Sequence, residues 1–243
     1  MELTNDKIWY ECPYPQTYHV ILTHKLSPCL DMFQDYSNKL FISDNGVPGT
    51  IDISGPWDCH RFGELPAWNF IAQNFRPQDY VSLEHYRRKL SLGMGNVVPE
   101  PINLSVDMAQ QTAYYHSPVL ADAMLKTLTP LEQHLFTTTR QMYLYNMGCL
   151  NVGFVQQLFF PYISNKIMLL ESILGRNFVP DATFYVDRPG KDTREWYQTR
   201  LYGFALERYV TLFWLQNQDK INSIGRVKLL EPRTESVEIT LYI

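Results

Sequence analysis

The chain has 243 residues, 45% of them hydrophobic and 19% charged, a balance that builds a buried core and excludes an intrinsically disordered chain. A formal net charge of -4 and a pI near 5.9 exclude a general nucleic-acid binder, which needs a basic footprint. The length suits one large domain or two small ones.

Cys12, Cys29, Cys59 and Cys149 show no CxxC spacing, so neither a zinc knuckle nor a redox motif is expected. Their scatter fits the reduced thiols of a cytoplasm. The opening MELTNDKIWYECPYP has no continuous apolar segment of the signal-peptide kind, and no apolar run approaches the ~18 residues of a membrane span. The expected location is the cytoplasm, with at most peripheral contact at the inner face of the membrane.

In chain order, residues 1–17 are predicted as an irregular lead-in and residues 18–243 as a single domain. YHVILTHK, Tyr18 to Lys25, predicts a buried strand that ends in His24 and Lys25 and is stopped by Pro28. A short helix is expected over 29–40. Ser43 to Pro56 is dense in turn formers, and a loop that long in a compact domain is often functional. From Glu64 the spacing predicts a helix with Leu65, Trp68, Ile71 and Ala72 on one face and Pro66 in its first turn. YVSLEHYRR, Tyr80 to Arg88, predicts a second buried strand. It delivers Glu84, His85, Arg87 and Arg88 at its carboxyl end, where open α/β sheets bind ligands. Two adjacent guanidinium groups there can grip a pyrophosphate through charge-assisted hydrogen bonds; the plainer alternative is that they start a solvated loop.

Gly93 to Ser105 reads as loop with one short apolar segment and carries neither GxGxxG nor a Walker pattern. Val106 to Leu128 is predicted helical on both sides of Pro118. Thr129, Pro130 and Glu132 have the order of a helix start: N-cap, first residue and N3. Met142 to Val155 is predicted as a strand broken by Gly148 and Gly153, followed from about Phe159 by a buried helix ending at Gly175. Residues 176–198 read as loop, with DRPGKD as a turn. Arg200 to Gln218 predicts a buried helix carrying Glu207 and Arg208. Ser236 to Ile243 alternates as a terminal strand with Val237, Ile239 and Leu241 on one face. The alternation of strands and helices favours a mostly parallel α/β sheet.

Three segments put charge into apolar surroundings: His24–Lys25, Glu84–Arg88 and Glu207–Arg208. Buried charge is costly unless paired or used. Glu207 and Arg208 therefore read as a buried ion pair, or Glu207 reads as a general base kept ionised by a helix N-terminus. His24 at a strand end reads as a structural residue or a nucleotide contact.

The segments HVILTHK, DNG…IS with GELPAWNFIAQN, DYVSLEHYRR, YNMGCLNVGFVQQLFFPYI and RLYGFALERYVTLFW follow one another over residues 18–216. In that order the chain resembles the DUF4422 family of bacterial glycosyltransferase-like domains of capsule and surface-polysaccharide gene clusters, whose members read like ELTxxYWxWKN and GFLxERLxxxW at the second and last segments. The resemblance implies a GT-A-like, Rossmann-like sheet flanked by helices. It also implies transfer of a hexose from a nucleotide-sugar donor to a glycan or lipid-linked oligosaccharide; inverting transfer with a Glu base is the expectation, and the residues leave retaining transfer open. The expected donor is UDP-linked, with galactofuranose a candidate sugar. Pro66 and Asn69 interrupt the ELTxxYW pattern, and Gly148 and Cys149 stand where relatives carry Phe and Ile. These departures bear on specificity more than on fold.

GT-A enzymes typically hold a divalent metal on the diphosphate with a DxD motif. No DxD occurs in the chain, and the strand that would carry it reads YVSLEHYRR. The preferred expectation is that arginines neutralise the diphosphate without a cofactor; the alternative is Mn or Mg on Glu84 and His85. Glu207 is the expected base, with Glu64 its rival. His24, Lys25, Glu64, His85, Tyr86, Arg87, Arg88 and Arg208 are expected on the donor side, and Asn146 and Asn151 on the acceptor side. The competing class is a non-catalytic nucleotide- or glycan-binding subunit on the same fold.

Overall fold

The structure is a computed structural model that describes residues 14–180 and 199–230. Most of the expected lead-in, the DRPGKD turn and the expected terminal strand lie outside the described residues.

The fold is organised by β1 (Thr17–Leu22) and β4 (Tyr80–His85), which pair in parallel over their whole length, Thr17 opposite Tyr80 and Leu22 opposite His85. Val20, Ile21, Val81 and Leu83 are fully buried, as strands covered on both faces require. On the far side of β1 lie β2 (Lys39–Ser43) and the short β3 (Ile51–Asp52), both parallel. On the other side of β4 lies β9 (Gly148–Asn151), antiparallel to it. Beyond β9 come β6 (Val97–Pro99) and β10 (Ser223–Gly225), which pair in parallel with each other. The order is β3-β2-β1-β4-β9-β6-β10, and along it β9 alone runs against the rest. The sheet is thus mixed but mostly parallel.

Three connections refine what the residues led one to expect. The stretch 29–40 is a short 3-10 turn (Pro28–Phe33) followed by β2, not one helix. YVSLEHYRR does not run out into a loop. Tyr86 and Arg87 form a tight turn, and Arg88 opens β5 (Arg88–Leu90), which folds back on β4 and pairs with β11 (Val227–Leu229). The apolar run after Met142 becomes helical at once beyond β9. Asn151 caps α6 (Val152–Phe154) by accepting from the Phe154 N–H, and a π-turn (Val155–Phe159) carries the chain into α7 (Phe160–Leu174). Gly175, at φ 81°, ends that helix as expected.

The main core lies between one face of the sheet and the helices α2 (Leu65–Asn74), α7 and α8 (Leu201–Gln216). Trp68, Phe159, Phe213 and Trp214 meet there ring against ring at 5.0–5.5 Å. Helices α3 (Met108–Tyr115), α4 (Pro118–Thr127) and α5 (Pro130–Thr138) flank α8. Thr129 and Glu132 form the expected reciprocal cap of α5. Glu132 is also half of a buried ion pair with Lys166 of α7 at 2.6 Å, and it accepts from Tyr162 at 2.6 Å. Lys166 and Tyr162 hold the Glu132 carboxyl well below its ordinary range, at about 2, against the opposing effect of burial. A smaller cluster of Ile21, Phe33 and Tyr86 covers the opposite face of the sheet. No helix among the described residues is long and apolar enough to cross a membrane.

Candidate active site at the carboxyl edge of the sheet

The carboxyl ends of parallel strands form one rim, and an antiparallel strand reaches that rim with its amino end. β1 delivers His24 and Lys25, β2 delivers Asp44, and β4 delivers His85, Tyr86 and Arg87. β9, because it runs the other way, brings the loop that precedes it: Tyr145, Asn146 and Met147. The ends of two helices close the site. Glu64 is the N-cap of α2, directly after α1 (Cys59–Phe62) and Gly63, and Arg200 is the N-cap of α8.

The helix ends meet through glycines. Gly63 has φ 59° and ψ -129°, a conformation closed to most residues with a Cβ. A Cβ on Gly63 would stand 3.3 Å from the Gly203 Cα, and one on Gly203 would stand 3.2 Å from the Gly63 nitrogen. This close crossing lays Glu64 beside the second turn of α8, where Glu207 sits.

The cationic half of the site is dense. The Tyr86 hydroxyl is 3.2 Å from His24 Nε2, and the Arg87 guanidinium lies 5.3 Å from the buried Tyr86 ring. The Arg88 guanidinium stacks on Tyr145 at 4.3 Å. Nε of Arg87 is buried without a hydrogen-bond partner among the described residues. None of Arg87, Arg88 and Arg200 is in an ion pair among the described residues. Burial, then Arg88, His24, Arg87 and Arg200, push the His85 imidazole down to about 2, so it is neutral. Burial and the charges of Arg87, Lys25 and Arg200 lower His24 as well. Lys25 is exposed at the rim, its Nζ 5.6 Å from the Tyr86 ring.

The anionic half is built on strained backbone. Tyr145 and Asn146 have φ 76° and 49°, two consecutive non-glycine residues in left-handed conformation. Such conformations persist only where the surroundings enforce them. Glu207 Oε1 accepts from the Tyr145 N–H at 3.2 Å, Trp68 Nε1 donates to the Asn146 carbonyl at 2.9 Å, and Thr211 Oγ1 accepts from the Tyr143 N–H at 3.0 Å. Asn146 Nδ2 donates to Glu64 Oε2 at 2.9 Å. Burial raises the Glu64 carboxyl above its ordinary range; the Asn146 hydrogen bond and Arg200 oppose this, Glu207 adds to it, and Arg88 opposes it.

The structure therefore brings His24, Lys25, Glu64, His85, Tyr86, Arg87, Arg88, Asn146 and Glu207 to one rim. It adds Arg200, Tyr145 and Asp44, which the sequence reading passed over. Four expectations are corrected. Arg208 points away from the rim. Its buried guanidinium binds the Phe204 carbonyl at 2.8 Å, Thr112 at 3.3 Å, Gln111 and Glu207, with His116 Nε2 at 3.1 Å. Asn151 lies at the opposite end of the sheet, with its side chain bound to the Pro77 and Asp79 carbonyls. Glu207 lies past the first turn of α8, beyond the reach of that helix's N-terminal dipole. Glu84 and His85 do not fit a metal. They point to opposite faces of β4, and the buried Glu84 already accepts from Ser82 at 3.0 Å, from the Leu90 N–H at 3.3 Å and from Tyr36 at 3.5 Å, with His19 Nδ1 3.1 Å away. Among the described residues no group of three or more His, Cys, Asp and Glu side chains is placed to hold a metal ion.

No protein-family model matches the sequence, and no curated protein sequence matches it. Among solved structures, the chain is similar to one described as the bifunctional glycosyltransferase WbbM in its apo form, with a TM-score of 0.61 and 14% sequence identity. The match covers 89% of this chain and 46% of that one. At this identity the likeness establishes the fold, a GT-A-like mostly parallel sheet flanked by helices, and the chain spans less than half of that protein.

Proposed function

We propose that this chain transfers a sugar from a nucleoside-diphosphate donor to a glycan hydroxyl, with the diphosphate held by Arg87, Arg88 and Arg200. The observation that carries the reading is the convergence of these three guanidinium groups, without ion-pair partners among the described residues, around a neutral His85. Guanidinium groups without counter-ions at the carboxyl edge of such a sheet call for a polyanion, and a diphosphate supplies one. The same groups offset the charge that builds on the leaving diphosphate as the glycosidic bond breaks. Lys25 and His24 lie at the edge of that cluster and suit the nucleotide end. The likeness to a glycosyltransferase structure supports the reading at the level of fold.

For the base, we assign Glu64 over Glu207. The two carboxylates lie close enough for their charges to act on each other, but Glu207 holds the Tyr145 N–H and the Arg208 guanidinium. Glu64 has one hydrogen bond and a carboxyl raised by burial, which suits a proton acceptor. The acceptor hydroxyl gives its proton to Glu64, its oxygen bonds to the anomeric carbon, and the diphosphate leaves toward the arginines. A UDP-linked hexose, with galactofuranose as the first sugar to try, and a surface-polysaccharide acceptor follow from the family resemblance of the motifs. The test is a thermal-shift panel of UDP, GDP, dTDP and CMP, each with and without manganese. Stabilisation by UDP that does not need manganese supports the assignment. No shift with any of the four, or a shift only with manganese, overturns the arginine-held diphosphate.

A further inference from the structure

Asn146 stands out among the buried side chains because its hydrogen bonding is half made. It is 3% exposed, Nδ2 donates to Glu64 Oε2 at 2.9 Å, and Oδ1 has no partner among the described residues. A buried amide oxygen without a donor is uncommon, because the lost hydration is not replaced. Its backbone is fixed: φ is 49°, the carbonyl is held by Trp68 at 2.9 Å, and the preceding N–H is held by Glu207 at 3.2 Å. The side chain is not fixed in the same way. Even a Cβ added at Gly63 would stand 3.7 Å from Nδ2, an ordinary van der Waals distance.

We propose that the Asn146 amide is a two-position partner for Glu64: Nδ2 donates to the carboxylate before proton transfer, and Oδ1, after a half-turn of the amide, accepts from the carboxylic acid after it. This rests on Glu64 being the base. An ionised carboxylate only accepts, so it pairs with Nδ2. A protonated one can still accept at its carbonyl oxygen, but it adds an O–H that needs an acceptor, and the unpartnered Oδ1 is the acceptor at hand. Each position leaves one amide atom without a partner; the ionised carboxylate favours the first, and the proton on Glu64 favours the second. Asn146 is thereby a positioning residue. It keeps the carboxyl aimed at the acceptor in both of its forms, whereas a rigid donor would resist the proton's arrival. The charged and titratable groups around Glu64 are Arg200 and Glu207 on α8, Arg88 on β5 and Cys59 on α1. Burial raises the proton affinity of Glu64 most, the Asn146 hydrogen bond opposes it, and Arg200, Glu207 and Arg88 act after these; none of the charged groups is an alternative hydrogen-bond partner of Glu64.

The test needs no substrate: a pH titration of the whole chain followed through the Asn146 side-chain NH₂ resonances in a sample labelled at asparagine nitrogen. The expected result is that these resonances leave a hydrogen-bonded position as pH falls, with the midpoint of the Glu64 carboxyl carbon, and that Glu64→Gln abolishes the transition. In Asn146→Gly, which keeps a residue suited to φ 49°, the infrared carbonyl stretch of protonated Glu64 should rise toward that of an acid without an acceptor. Asn146 resonances that ignore the Glu64 titration, or a Glu64 stretch unchanged in Asn146→Gly, overturn the proposal. Failure of nucleotide binding would count against the transferase reading and leave this measurement standing.

Discussion

At the scale of single residues, one carboxylate and one imidazole govern how the site responds to protons. Glu64 has its pKa raised in the folded chain, so as a base it is competent only above that raised value. The ascending limb of a turnover-against-pH profile should therefore lie above the range of an ordinary glutamate. Glu64→Gln should lower turnover by about 10²–10⁴-fold while UDP binding is retained, as a calorimetric titration would read. His85 has its pKa lowered from 6.5 to about 2, and the sign of its effect on stability follows. The unfolded chain takes up the proton first, so the stability tied to neutral His85 is full above about pH 6.5 and is lost as pH falls below it. His85→Gln should flatten the decline in melting temperature between neutral pH and pH 5; an unchanged decline would mean that His85 titrates alike in both states. Some of this was legible in the residues alone: Arg87 and Arg88 declared themselves by ending a buried strand. Arg200 did not, because it sits just ahead of the apolar run of its helix and looks like a solvated start. The proposed preference for Glu64 over Glu207 had no sign in the residues either, because it rests on which carboxylate the folded backbone already uses.

At the scale of elements, the site is set by how closely α1 and α8 approach. Gly63→Ala places a Cβ in a φ region that strains it and against the Gly203 backbone. The strain is worth on the order of 1–3 kcal/mol. A loss of stability in that range should come with a loss of turnover, since Glu64 follows Gly63 directly. Urea unfolding and an activity assay on one sample would separate a purely structural defect, in which stability falls and turnover per folded molecule is kept. Away from the site, Lys166→Met removes one partner of a buried pair and should destabilise by about 3–5 kcal/mol without changing UDP affinity. Helix starts were the most readable elements, because Thr129, Pro130 and Glu132 state a cap in local chemistry. β2 was missed: its five residues hold only Leu40, Phe41 and Ile42 as an apolar run, too short to separate strand from helix by period. The left-handed pair Tyr145–Asn146 has no periodic signature, and only tertiary hydrogen bonds hold it.

At the scale of the whole molecule, a chain with net charge -4 carries a locally cationic rim. The low-dielectric walls around Arg87, Arg88 and Arg200 keep that charge from being averaged away by the acidic remainder. UDP at about 100 times its dissociation constant should stabilise by about 2.7 kcal/mol, a shift in melting temperature on the order of 5–10 °C for a chain of this size. Arg200→Ala should weaken UDP by about tenfold or more, since a hydrogen bond to a charged group contributes roughly 1.5–3 kcal/mol. Full retention of affinity would remove Arg200 from the phosphate site. The overall α/β class was readable from the alternation of strands and helices. The reversal of β9 was not, because a four-residue strand carries no mark of its direction.

That reversal also bears on how the chain reaches its native state. β4 pairs with β1, far earlier in the sequence, and with β9, far later, with three helices threaded between β4 and β9. Both pairings close long loops, so the centre of the sheet assembles through non-local contacts and the folding rate should be slow for its size. A nascent chain that has reached α5 presents β4 with one side unpaired, a ready template for another chain. Only when β9 docks, and α8 follows to hold Tyr145 through Glu207, does the rim exist. The cationic rim is the last thing this chain acquires as it is made.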